Sequence, residues 1–464
     1  MLLSVLKNKI VELTKTERIY LISCIVVYCI YACYHIFKYP VYIDEASSYV
    51  YYTSKGIFEC LTSYNEPNNH IFLSLINSII VKLPFDPLIL ARIPNLIIGI
   101  IFTIVFYLFC KKYYSNKIAM IMNTLLTFSY YFTFYSVFAR GYMIIMFATL
   151  ICYVSTTNFH KQNQGVFIIA SIIGFYSIPV FLYVSVSFFI YLLITDYNNK
   201  VSIIQSYTII GLVTFILYIP IIYYNGLDAI INNKWTKKVT SDEIQIYLKS
   251  NGTKLYDKII GINATYIFIA FFFVLTLIYF VKKTEIKEIK FIFIFFLLPF
   301  LLIYIQKVTP GVRTWSYLII PFVIGVGIIL KNINQIVPLK KGSVTLMMTF
   351  IIGINVYIFS KSHPTAGIDR DYVTATMSNF ILKQNIKSIY IDQDTESYEE
   401  VSMRFYALRN KKKIAIFDRQ SKIDLTKINY YLIENNNPTR NNKRLLLGYK
   451  PIFKNTIISL FEKK

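Results

Sequence analysis

The stretch "IYLISCIVVYCIYACYHIFKYPVYIDEASSYV" (residues 19–50) sets two unlike chemistries side by side. Residues 19–37 form an apolar run of the length that crosses a bilayer, for which about 20 such residues are needed. A few positions later two carboxylates, Asp44 and Glu45, stand next to each other. The rest of the chain shares the first bias. Of its 464 residues, 55% are hydrophobic and 16% charged, against about a quarter charged in ordinary soluble domains. Runs like the first recur to about residue 360, so the bilayer is the implied solvent. The fold class this predicts is an all-α polytopic membrane bundle.

Working outward, apolar runs with polar flanks lie near residues 19–37, 92–110, 118–138, 142–158, 165–179, 180–195, 202–222, 262–281, 289–306, 315–331 and 343–360, about eleven spans. The first has the basic flank of a signal peptide but no small-residue cleavage site, and more spans follow, so it is expected to be retained. Lysine and arginine orient the bundle. Lys7, Lys9, Lys15 and Arg18, then Lys111, Lys112 and Lys117, Lys161, Lys200, Lys282 to Lys290, and Lys331 to Lys341 all fall on one side if the N-terminus is cytoplasmic. That parity places Asp44 and Glu45, the long loop 223–261 and everything after Lys361 outside. Residues 71–83, bounded by Pro67 and Pro84, are too short to cross and suit a helix lying on the outer leaflet.

The formal charge of +23 is spread over short loops and the tail, which fits anionic lipid headgroups and not nucleic acid. Of six cysteines, only Cys60 falls clearly in a loop; no disulfide framework or CxxC metal site is present. From residue 361 hydropathy drops. Helix-like stretches (372–383, 396–408) alternate with strand-like ones, "SIYID" (388–392), "KIAIF" (413–417), "NYYLI" (429–433) and "RLLLG" (444–448), predicting a small extracytoplasmic α/β domain over 361–464 behind a transmembrane domain over 1–360. It contains no GxGxxG, P-loop or nucleophile elbow.

On the outward side the polar residues at membrane ends are Asp44, Glu45, His70, Arg92, Arg140 and Arg313. Charges at such places are costly and mark a pathway or a site. Acids beside arginines suit attack by a hydroxyl or amine on an anomeric carbon whose leaving group is a phosphate: an acid takes the nucleophile's proton, and arginine forks hold the charge that develops on the phosphate. No metal is required by that logic. Adjacent helical residues point about 100° apart, so Asp44 is assigned the proton and Glu45 a supporting hydrogen bond. Plainer readings stand beside these. Asp44 could be the N-cap of the helix that follows, Arg92 and Arg140 could be interfacial snorkelers, His70 could be an ordinary hydrogen-bonded residue, and the 40 tyrosines and 37 phenylalanines fit aromatic belts. Asp242 and Glu243 suit a solvated surface.

The segments "DEASSYVYYTSKGIFECL", "NEPNNHIFLSLI", "LARIPNLIIGII", "YSVFARGYMIIMFATL", "GFYSIPVFLYV" and "PGVRTWSYLIIPFV" resemble, in sequence and in order, the membrane glycosyltransferases of the GT-C superfamily. The nearest likeness is to the bacterial branch related to protein O-mannosyltransferases and aminoarabinose transferases, over roughly residues 15–330. The resemblance implies a bundle of eleven to thirteen spans with juxtamembrane helices in the first outer loop, here within 38–91. It implies sugar transfer, with inversion, from a polyprenyl-phosphate donor to an acceptor on the outer face of the plasma membrane; the lipid-linked sugar is a co-substrate and no cofactor is implied. The family's catalytic acid falls on Asp44 with Glu45 beside it, its phosphate-binding arginines on Arg92, Arg140 and Arg313, and its substrate contacts on His70, Tyr142 and Tyr317. One departure is "NNHIF", which keeps His70 where many members continue with two prolines; it bears on the acceptor or sugar more than on the chemistry. The rival readings are a lipid or polysaccharide transporter, which would show repeats or broken midplane helices, and an inactive scaffold, which would not need these charged residues.

Overall fold

The computed structural model describes residues 12–64, 67–157, 159, 161–232, 238–260, 265–281, 286–361, 368–391, 398–418, 421, 428–434, 448–454 and 458–463. The chain divides into two compact units, one of Met1–Ile36, Leu61–Ile76 and Arg92–Ser362, the other of Phe37–Cys60, Asn77–Ala91 and His363–Lys464.

The first unit is the helical one. Its helices are α1 (Lys15–Lys38), α4 (Ile71–Ile80), α5 (Pro87–Tyr113), α6 (Asn116–Thr127), α7 (Tyr130–Val137), α8 (Tyr142–Thr156), α9 (Lys161–Ser177), α10 (Phe181–Thr195), α11 (Lys200–Asn225), α12 (Asp228–Ile231), α13 (Ser241–Ile260), α14 (Thr265–Val281), α15 (Ile286–Gln306), α16 (Ile319–Ile336) and α17 (Lys341–Lys361). A 3₁₀ segment, Val312–Leu318, leads into α16. Among the described residues six helical stretches are long and apolar enough to cross a membrane: Lys15–Lys38, Pro87–Tyr113, Tyr197–Asn225, Ile286–Gln306, Val312–Ile336 and Lys341–Phe359. Shorter apolar helices, Tyr142–Thr156, Phe181–Thr195 and Tyr266–Val281, lie between them. This is a multi-pass membrane protein.

Among the described residues the expected runs fall on helix, the run 315–331 beginning in the 3₁₀ segment, and two stretches differ from expectation. The run 118–138 is broken: α6 ends at Thr127, and Ser129, with extended backbone (φ −62°, ψ 153°), starts α7. Its hydroxyl donates to the Leu126 carbonyl at 2.8 Å, the local serine bond that competes with a helix. The loop 223–261 holds two helices, and the second begins in a capping box. Thr240 N–H donates to Glu243 Oε2 at 2.7 Å, and Glu243 N–H donates back to Thr240 Oγ1 at 3.3 Å.

The interior of this unit is aromatic. Phe188, Phe291 and Phe295 pack ring to ring at 4.3–5.9 Å where α10 meets α15. Small residues let helices close up: a Cβ on Gly325 of α16 would stand 2.4 Å from the Phe271 ring of α14. At the end of α1 that carries the basic flank, Glu17 is 1% exposed. It accepts from Lys111 Nζ at 3.0 Å and from Tyr107 OH at 3.3 Å, tying α1 to α5.

The second unit is built on a five-stranded sheet. Its elements are α2 (Ile43–Tyr51), α3 (Ile57–Thr62, up to Cys60), α18 (Ile368–Lys383), β1 (Ser388–Ile391), α19 (Tyr398–Arg409), β2 (Ala415–Phe417), β3 (Tyr430–Glu434), β4 (Tyr449–Lys454) and β5 (Ile458–Lys463). The sheet order is β2-β1-β3-β5-β4, parallel across β2, β1 and β3 and antiparallel from β3 to β5 and β4. Its parallel half follows the expected helix and strand order within a few residues. The stretch 444–447 lies outside the described residues, and the terminal β4–β5 pair was not foreseen. Cys60 is not in a loop; it is fully buried in α3, and burial pushes its thiol up to about 12.

Candidate active site

The first unit gathers three of the expected site residues, His70, Arg140 and Tyr142, where the segment before α4 meets the start of α8. The chain "SVFARGY" leaves α7, and Arg140 and Gly141 turn it into α8 with Gly141 as N-cap. Asn95, on α5, holds this turn: its amide donates to the carbonyls of Phe138 at 2.7 Å and Arg140 at 2.8 Å. Arg140 is 1% exposed. Its Nη2 donates to Asn68 Oδ1 at 3.1 Å and lies 3.1 Å from His70 Nε2. Gly141 N–H donates to His70 Nδ1 at 2.6 Å. The His70 ring meets Tyr142 edge-on, with centroids 5.3 Å apart.

Burial, with the charges of Arg140 and Arg313 adding repulsion, holds the His70 imidazole well below its ordinary pKa. The ring is therefore neutral at pH 7. Because Nδ1 accepts from Gly141, its one proton sits on Nε2. In that tautomer Nε2–H and the Arg140 guanidinium both present donors, 3.1 Å apart.

Arg92 is fully buried and turned inward. Its Nη1 donates to the Ile36 carbonyl at 2.9 Å, near the C-terminal end of α1, and its guanidinium lies 5.2 Å from the centre of the Phe138 ring. On the late segment, Arg313 is half-buried, and the Val312 carbonyl accepts from Tyr131 OH at 3.1 Å. Trp315 Nε1 donates to Tyr247 OH at 3.4 Å, and that hydroxyl donates to the Pro310 carbonyl at 2.5 Å. Tyr317 is fully buried, and its hydroxyl has no hydrogen-bond partner among the described residues.

Asp44 and Glu45 belong to the second unit, on the first turn of α2. The N-cap of that helix is Tyr42, which removes the reading of Asp44 as the cap. Glu45 does the capping work instead: its Oε2 accepts from the Tyr42 N–H at 3.0 Å. Both carboxylates are buried, at 9% and 4% exposure.

A family model described as dolichyl-phosphate-mannose-protein mannosyltransferase matches residues 68–224, the segment holding His70, Arg92, Arg140 and Tyr142. No curated protein matches the chain. Its fold is similar to the crystal structure of ArnT from Cupriavidus metallidurans bound to undecaprenyl phosphate, with a TM-score of 0.65 at 9% identity over 96% of this chain and 97% of that one. The apo ArnT structure from the same organism gives 0.64 at 10% identity over 95% and 97%. The fold is GT-C.

Within this bundle, sequence reasoning missed Asn68, Asn95 and Gly141, the groups that hold Arg140 and His70 in place. The signal for them was faint: an asparagine two residues before the histidine and a glycine directly after the arginine. A separate cavity of about 650 Å³ opens at other helix ends, lined by Tyr113, Tyr153, Tyr191, Asp196 and Glu288 among others; it shares no residue with the cluster around Arg140.

Proposed function

We propose that this chain is an integral membrane glycosyltransferase of the plasma membrane, N-terminus cytoplasmic and tail outside. It would move a sugar from a polyprenyl-phosphate donor to a lipid, glycan or protein acceptor on the outer face. The observation that supports this reading best is the buried Arg140, His70 and Asn68 cluster at the start of α8 in a GT-C fold. In this reading the acceptor's nucleophilic oxygen or nitrogen attacks the anomeric carbon from the face opposite the phosphate, and the Asp44 carboxylate takes its proton. The bond from carbon to phosphate oxygen breaks, the electron pair leaves with the polyprenyl phosphate, and the configuration inverts. The charge gained by the phosphate falls to Arg140 and Arg313, with His70 Nε2–H and Arg140 Nη2 closing on one phosphoryl oxygen. Arg92, whose bond goes to the Ile36 carbonyl, contributes positive field from behind this group. Glu45 holds the turn that presents Asp44, and Tyr142 and Tyr317 line the substrate. The ArnT crystal structure is bound to undecaprenyl phosphate, the kind of molecule that leaves in such a reaction.

The test is transfer of radiolabel from a panel of undecaprenyl-phosphate sugars by the purified protein in lipid, beside Asp44→Asn. Loss of the base should lower transfer by about a hundredfold or more with folding intact. A fully active Asp44→Asn protein would refute the assignment, and lipid transport without sugar transfer would favour a transporter.

A further inference from the structure

The helix that carries the proposed base is too short to place itself. With nine residues, Ile43–Tyr51, α2 is below the length of about 12–15 at which an isolated helix holds in water. Its stability has to come from a face packed on something else. Ile43, Ala46 and Val50 fall on one face by their spacing. Ala46 and Val50 are buried in one apolar cluster with Val401, Phe405 and Tyr406 of α19, more than 350 positions along the chain, and with Leu88. Tyr49 meets the Phe405 ring edge-on at 5.2 Å. Phe405 is 1% exposed.

The bed under α2 is itself braced. Arg370 of α18 donates twice to Glu399 Oε1 of α19, at 2.9 and 2.7 Å, and Tyr398 OH donates to Asp371. The chain on either side of α2 is tied to the same helices. Tyr372 OH donates to the Lys38 carbonyl at 3.2 Å, and Arg409 pairs with Asp86, whose other oxygen accepts from the Leu88 N–H at 3.0 Å.

We propose that the C-terminal α/β tail is the positioning bed of the base-bearing helix, with Phe405 as its positioning residue. This rests on the reading of Asp44 as the base. The geometry sets the sensitivity. A carboxylate about 6 Å from a helix axis moves about 1 Å when the helix rolls by roughly 10°, and a misplacement of that size costs up to about a hundredfold in rate. Rolling α2 on a loosened bed acts on turnover and leaves donor-lipid recognition, assigned to Arg140 and His70, as it is.

The experiment uses the full chain in nanodiscs with the sugar donor that supports transfer. Phe405→Ala is expected to lower kcat by about ten- to a hundredfold with the donor KM unchanged, and to speed amide exchange in residues 43–51 but not in β1. Phe405→Leu should recover most of both. If Phe405→Ala does not fold, Tyr49→Ala removes the ring contact from the α2 side and leaves the tail core whole, with the same expected pattern. Unchanged kcat and unchanged exchange in a folded variant, with Asp44→Asn inactive, would overturn the bed and leave the base standing. An active Asp44→Asn beside faster α2 exchange in Phe405→Ala would overturn the base and keep the mechanical role of the tail.

Discussion

Gly141→Ala isolates the contact that holds His70. Gly141 has φ −65° and ψ −2°, a right-handed conformation that alanine adopts without strain, so the backbone offers no objection. Space does. A Cβ there would lie 3.0 Å from His70 Nδ1 and 3.1 Å from its Cβ and Cγ, inside ordinary van der Waals contact. The ring has to retreat by about 0.5 Å from a site packed to interior density. That stretches the 2.6 Å bond from Gly141 N–H and turns Nε2 away from Arg140. Losing a neutral hydrogen bond costs about 1 kcal/mol, and weakening the charge-assisted one proposed from Nε2–H to the lipid phosphate adds a similar amount; together they correspond to a drop of about tenfold or more in affinity for undecaprenyl phosphate. Without the histidine contact the expected sign is opposite, because glycine to alanine at a compatible position stabilises by about 0.4–1 kcal/mol. The assay is a titration of undecaprenyl phosphate against the protein in nanodiscs, with a melting curve of the same sample. A Gly141→Ala protein that melts higher and binds the lipid as well as wild type refutes the reasoning.

The titration of His70 and the burial of Glu17 give two further outcomes. The unfolded chain protonates His70 near pH 6.5, while the folded chain, with its imidazole held well below that value by burial, Arg140 and Arg313, does not. Stability therefore falls as pH drops below about 6.5 and levels off only beneath the folded value; chemical denaturation of His70→Gln across pH 5–7 should show a shallower slope, and equal slopes would sink the idea. Glu17→Ala leaves Lys111 and Tyr107 facing each other without their shared acceptor and should cost about 3 kcal/mol, read as a lower melting temperature that Glu17→Gln partly restores. No change in melting would mean that the pair contributes nothing to the α1–α5 contact.

Much of the helical unit was legible because its signal is local and repeated. A run of about 20 apolar residues has few alternatives in a membrane, and every expected run is helical. What local reading missed was set by single polar atoms. One hydroxyl, Ser129, divides a run that hydropathy reads as continuous, and one threonine starts a helix inside a stretch taken for a loop. The candidate site was legible by residue type more than by role. Arg140, His70 and Tyr142 come together, but Arg92 is bonded to a carbonyl of α1, because a buried guanidinium takes whatever acceptor its surroundings provide. Glu45 turned out to cap a helix.

The helix that carries Asp44, the proposed base, shows why such roles escape a local reading. "IDEASSYVY" has too few residues to fold by itself, and its apolar side presents Ile43, Ala46 and Val50 with the Tyr49 ring beside them. The side chains that complete that side, Val401 and Phe405, lie in a tail whose own pattern says nothing about sugar transfer. The proposed chemistry therefore places a demand on the tail that conventional site residues do not reveal. Phe405 can be exchanged for another large apolar side chain with little loss but not for a small one, since what α2 requires of it is volume and position.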